Sequence, residues 1–111
     1  MTIIHEYGIN GDKKLRYNLS EASGGNMSEM HGQRIKIKAY IIIEDTNPET
    51  NEPRKTLKAL TEDGESIGTR SSSFIAGMER FIACMESDEV TEFEIGQATS
   101  RNGRKYITFI A

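Results

Sequence analysis

Arg34, Lys36 and Lys38 stand at alternate positions in the run Arg-Ile-Lys-Ile-Lys-Ala-Tyr-Ile-Ile-Ile-Glu, and Tyr40 follows at the same spacing. Successive strand side chains point to opposite faces, so period two sets these four with Ile42 on one side and Ile35, Ile37, Ala39, Ile41 and Ile43 on the other. The second set suits a core. The first joins cations that meet phosphates to a ring on which a base stacks, the chemistry of a surface for single-stranded nucleic acid. The same alternation also describes a half-buried strand whose outer face is merely soluble, so the rest of the chain has to decide.

A second cluster lies near the other end, in Ser100-Arg101-Asn102-Gly103-Arg104-Lys105-Tyr106. Asn-Gly is the strongest short hairpin signal, and it keeps Arg101, Arg104 and Lys105 at a tight tip that seeks phosphates. Tyr106 offers a second stacking ring and Lys58 a further phosphate contact. Tyr7, Tyr17 and Arg16 are weaker additions to such a face.

Other chemistry finds little support. His5 and His31 lack cysteine or acidic partners at ligand spacing, so no metal site is expected. Gly24-Gly25 is not followed by the Gly-Lys-Ser of a phosphate loop, and no Gly-x-Ser-x-Gly elbow occurs, so neither a cofactor nor a catalytic residue is expected. A small hydrolase built on the carboxylate pairs Glu44-Asp45 and Glu62-Asp63 would need a cleft and a metal. The single cysteine, Cys84, excludes an internal disulfide and reads as a packing residue on the inner face of a helix. No apolar run approaches the roughly 20 residues of a membrane span, and the N-terminus lacks a signal-peptide pattern. A reducing cytoplasm is the expected location.

The chain has 111 residues, enough for one domain with its own core. Its 14 basic and 17 acidic residues make it mildly acidic, which by itself argues against a polyanion partner. The distribution argues otherwise. Residues 34–43 carry three basic and no acidic groups, residues 100–111 another three and none, whereas residues 44–70 hold seven acids against four bases. A polyanion bound through one limited face fits that asymmetry.

The elements that must position these groups follow from the pattern. Residues 2–7 and 15–19 read as short strands separated by the turn residues Asn10-Gly11-Asp12, and residues 20–32 as a loop with at most one helical turn. Residues 45–53 hold both prolines and read as a long connection. Strands are expected at 54–61 and 65–69, joined by Asp63-Gly64. Ser71-Ser72-Ser73 caps a helix over residues 74–85, where Phe74, Met78, Phe81, Ile82 and Met85 form one apolar stripe. Residues 91–99 and 104–110 make the last hairpin. Strand, strand, strand, helix, strand, strand is the order of the five-stranded OB barrel, which binds oligonucleotides around its second and third strands and through the loops joining strands one to two and four to five. Here those loops are residues 45–53 and 100–103. The expected fold is thus mainly β, one OB-like domain over residues 1–111 with an N-terminal extension; an open antiparallel sheet covered by one helix fits the same pattern.

Taken together, residues 34–44, the run Thr61-Glu62-Asp63-Gly64-Glu65 leading to Ser71-Ser72-Ser73-Phe74, and Ser100-Arg101-Asn102-Gly103-Arg104-Lys105-Tyr106-Ile107 resemble the small single-stranded DNA-binding proteins of bacteriophages and of conjugative elements of Gram-positive bacteria. The resemblance spans roughly residues 30–111 and is one of pattern. It implies an OB-type fold, a role in coating single strands during replication or recombination, and self-association as a dimer or along the strand. The chain departs from the better-known cellular single-strand binders in having no tryptophan and no acidic tail after Phe109-Ile110-Ala111. Stacking then falls to tyrosine and phenylalanine.

The first expectation is therefore a non-catalytic, largely sequence-independent binder of single-stranded DNA. Arg34, Lys36, Lys38, Lys58, Arg101, Arg104 and Lys105 would meet phosphates, with Tyr40 and Tyr106 under bases. The alternative is a small phage protein-interaction module that turns the acidic stretch between Glu44 and Glu65 toward a host protein.

Overall fold

The computed structural model describes residues 2–84 and 91–111. It is mainly β. The elements in chain order are β1 (Thr2–Tyr7), α1 (Lys13–Glu21), β2 (Gly25–Asn26), a single 3-10 turn (Met27–Glu29), β3 (Arg34–Thr46), β4 (Pro53–Thr61), β5 (Ser66–Thr69), α2 (Ser72–Ala83), β6 (Thr91–Thr99) and β7 (Lys105–Ile110). All seven strands join one sheet in the order β2-β5-β4-β3-β6-β7, with β1 added on β3, and the sheet curls into a half-barrel. From residue 34 onward the expected sequence of three strands, a helix and two strands is found. Among the described residues the five expected barrel strands are joined by the expected strand at residues 2–7, by the short β2 and by a second helix, α1, because the N-terminal extension is built into the sheet. Among the described residues no helix is long and apolar enough to cross a membrane.

The 13-residue β3 organises the rest. One of its edges carries β4 from Ile37 to Thr46. Its other edge is shared, with β6 pairing Arg34 to Ile37 and β1 pairing Tyr40 to Glu44. Between the two halves the register with β4 jumps from Ile37↔Thr61 to Ala39↔Leu60, so Lys38 has no opposite residue. One extra residue in a strand turns every later side chain to the other face. Ile37, Tyr40 and Ile42 therefore share the main core, while Ala39, Ile41 and Ile43 form a second cluster with Ile9 and Leu19.

That bulge corrects the period-two reading. Tyr40 and Ile42 are not on the cationic face; both are fully buried. The second cluster explains α1, which occupies residues expected to be a strand. Leu15 and Leu19 are four apart and cover the second face of β3, and the Asp12 side chain caps the helix by accepting from the Leu15 amide at 3.0 Å. Arg16 of α1 ion-pairs with Glu6 of β1, joining the two added elements. Asn10 and Gly11, at φ 53° and 77°, make the turn between them.

On the main-core face, α2 begins at its cap Ser71, whose Oγ accepts from the Phe74 amide at 3.3 Å, and buries Phe74, Ile75, Met78 and Ile82. Phe74, Phe93 and Phe109 have ring centroids 5.3 to 5.7 Å apart. Gly77 lets them meet, since a Cβ there would stand 2.7 Å from the Cβ of Phe109. Cys84 is exposed, not inward-facing as its helical spacing predicts, because the helix ends at Ala83 and Cys84 is its C-cap. Met85 lies outside the described residues. The expected long connection is a closed turn: β3 runs on to Thr46, and Asn47 bonds Glu52 and Asn51 across residues 47–52.

Candidate nucleic-acid interface

Position decides which of the cations and rings are available to a ligand. Arg34 and Lys36 leave β3 on its solvent side, directly opposite Glu94 and Glu92 of β6. The Arg34 Nε lies 3.1 Å from Glu92 and its Nη1 4.0 Å from Glu94. The cleft beside them is also lined by Glu62, Asp63 and Glu65. Two cations among five carboxylates leave this end of β3 net acidic, which weakens its pull on a phosphate.

Lys38, at the bulge, is exposed. Lys58 points toward α1, where its Nζ donates to the Ser20 carbonyl at 2.6 Å and the Ala22 carbonyl at 3.0 Å. It neutralises the negative end of that helix. Tyr40 is sealed in: its ring stacks on Tyr7 with centroids 5.6 Å apart, and its hydroxyl lies 3.1 Å from His5 Nδ1. Burial raises its phenol well above the ordinary tyrosine range, with Glu79 and Tyr7 adding to the effect. No base can stack on this ring. Of the weaker additions, Tyr7 is buried and Arg16 is held by Glu6, whereas Tyr17 is 64% exposed on α1.

The β6–β7 hairpin is different. Gly103, at φ 79°, closes the turn by donating to the Ser100 carbonyl at 3.0 Å, and the Ser100 amide donates to the Arg104 carbonyl at 2.8 Å. This closed turn holds Arg101, Arg104 and Lys105 in solvent within five consecutive residues. Among the described residues none of the three side chains takes part in an ion pair. Next to them Tyr106 faces Ala98 across the ladder, and Thr108 faces Gly96. The small partners leave the Tyr106 ring standing 42% exposed on the outer face of the sheet.

The structure thus gathers four of the nine sequence-derived residues, Arg101, Arg104, Lys105 and Tyr106, into one hairpin. It separates Arg34, Lys36 and Lys38 from them, turns Lys58 to the helix end and buries Tyr40. Sequence reasoning passed over Arg70, whose Nε lies 3.3 Å from Thr56 Oγ1 at the end of β5; a lone cation with no ring beside it carries no signal in one dimension. Compared with protein families, curated proteins and solved structures, the chain matches none of them.

Proposed function

We propose that this chain is a non-catalytic, largely sequence-independent binder of single-stranded DNA, of the kind that serves phage or mobile-element replication and recombination, and that it grips the strand with the β6–β7 hairpin. The observation that carries this reading is the set of three cations that have no ion-pair partner among the described residues, beside one exposed aromatic ring. Phosphates attract the cations without regard to sequence. A ring standing clear of the sheet gives an unpaired base a face to stack on, worth on the order of 1 to 3 kcal/mol. A base already stacked in a duplex gains nothing from it.

The strands support an OB-type reading of this function. β3, β4 and β5 precede α2, and β6 and β7 follow it, which sets the helix between the third and fourth of five strands, as in the OB barrel. The gripping loop between the fourth and fifth strands is then the cationic turn. Its counterpart between the first and second, residues 47–52, carries Glu49 and Glu52 and no base, so the grip is one-sided.

Fluorescence anisotropy with a labelled dT oligonucleotide of about 35 nucleotides tests this reading against a duplex of the same length. Single-strand binding that falls with salt and exceeds duplex binding supports it. Equal binding of both, or none at low salt, overturns it and turns the search to protein partners.

A further inference from the structure

The outer face of β4 and β5 holds a cleft of about 310 Å³ under residues 22–26, separate from the hairpin. The size is at the small end for sites that take small molecules. Lys58 and Gly68 are direct partners across the ladder, and Arg70 lies two residues beyond Gly68 on the same face. Lys58 and Arg70 both line the cleft, together with the hydroxyl residues Ser23, Thr56, Ser66 and Thr69, and no carboxylate among the described residues does. Gly68 leaves its floor bare between the two cations. Its roof is fixed in place, since a Cβ on Gly24 would meet the Ser66 carbonyl oxygen at 1.9 Å, and β2 pairs with β5 at Gly25↔Ile67 and Asn26↔Gly68.

Both cations keep donors for a ligand. Lys58 spends two of its three N–H groups on the Ser20 and Ala22 carbonyls. Arg70 uses its Nε on Thr56. On its other side Arg70 borders a cleft with Glu44 and Glu79, where Glu79 is paired with Lys55 at 3.7 Å, and nearby Asp45 is already held by Arg54 at 2.8 and 3.3 Å. Two cations and several hydroxyls, with no carboxylate among the described lining residues, match a group with nearly two negative charges and several acceptor oxygens.

We propose that this cleft binds a phosphate monoester, with Arg70 and Lys58 as its charge partners and the hydroxyls of Thr56 and Ser66 as neutral donors. The proposal stands on the lining of the cleft alone and does not depend on the hairpin. A free nucleoside monophosphate and the 5′-phosphate of a strand present the same chemistry.

Amide NMR spectra of the ¹⁵N-labelled full chain, titrated with dTMP and separately with thymidine, test it. The expected result is saturable shifts at Gly24, Gly25, Gly68 and Arg70 with dTMP and none with thymidine. Arg70→Gln, an exposed substitution, should weaken dTMP binding about tenfold or more, as expected for loss of a charge-assisted contact. No shift up to about 10 mM dTMP, equal shifts with thymidine, or undiminished binding by Arg70→Gln overturns the proposal. Tighter binding of 5′-phosphorylated than of unphosphorylated dT dinucleotide, at an affinity above that for dTMP, assigns the cleft to strand ends; dTMP binding as tight as the phosphorylated dinucleotide assigns it to free nucleotides.

Discussion

A Cβ placed on Gly8 would lie 2.1 Å from the carbonyl oxygen of Lys38, and Gly8 itself sits at φ 71°. The end of β1 is thus seated against Lys38, the residue skipped in the β3–β4 register between Ile37 and Ala39. That contact holds the bulge, and the bulge sends Tyr40 and Ile42 to one core and Ala39, Ile41 and Ile43 to the other. Gly8→Ala meets both a left-handed backbone and a backbone oxygen that cannot withdraw. The expected loss is about 3 kcal/mol, from strain of roughly 1 to 2 and overpacking of similar size, read as a lower urea midpoint with an unchanged slope.

Tyr40 belongs to stability and not to binding. Tyr40→Phe keeps the ring stacked on Tyr7 and loses the hydroxyl contact with His5, so it should cost about 1 kcal/mol. Tyr40→Ala empties a fully buried site and should cost roughly 3 to 5 kcal/mol. Denaturation and oligonucleotide titration of both variants check this: affinity per folded molecule stays at the parent value.

Two arginines with the same charge should behave differently. Arg34 faces Glu92 and Glu94, and Arg34→Ala should leave affinity for oligo-dT within about twofold, as for an exposed charge already paired. Arg104 has no ion-pair partner among the described residues. Arg104→Ala should weaken binding several-fold and reduce the slope of log K against log salt by about 0.7, one phosphate contact on a single strand.

The Arg54 guanidinium bonded to Asp45 holds that carboxyl below its ordinary range, against a smaller opposing effect of burial. A carboxyl with a lowered pKa in the folded chain favours folding in its ionised form. Its contribution is complete above the ordinary carboxylate pKa of about 4 and is lost as pH falls below it. Asp45→Asn should therefore flatten the fall in stability on acidification through that window and leave the alkaline side unchanged. Urea midpoints taken from neutral to strongly acid pH check the shape.

What could be read in one dimension was local. The strands on either side of Asp63-Gly64 and Asn102-Gly103 were legible because each turn needs a residue at positive φ, and Gly64 and Gly103 supply it at 90° and 79°. Helix α2 was legible from its serine cap and four-residue apolar spacing. Helix α1 was not, because Leu15 and Leu19 fit a strand or a helix equally well until the second face of β3 is known to need cover. The bulge left no mark either: nothing in Lys-Ile-Lys-Ala-Tyr-Ile says which residue goes unpaired. Arg101, Arg104, Lys105 and Tyr106 could be placed together because a tight turn keeps its residues in solvent. Lys58 could not, since its partners are carbonyls 36 and 38 residues away in sequence.

The most direct test of the hairpin as the strand-binding element is the salt dependence of dT oligonucleotide binding by the parent and by a variant carrying Arg101→Ser, Arg104→Ser and Lys105→Ser, between about 50 and 200 mM salt. All three substitutions are at exposed positions, and the urea midpoint verifies that the fold is kept. The expected slope for the parent is about −2, from three phosphate contacts on a single strand, falling close to zero in the variant together with most of the affinity. A variant that is folded and binds with the parent's affinity and slope would place any strand-binding surface elsewhere on the molecule.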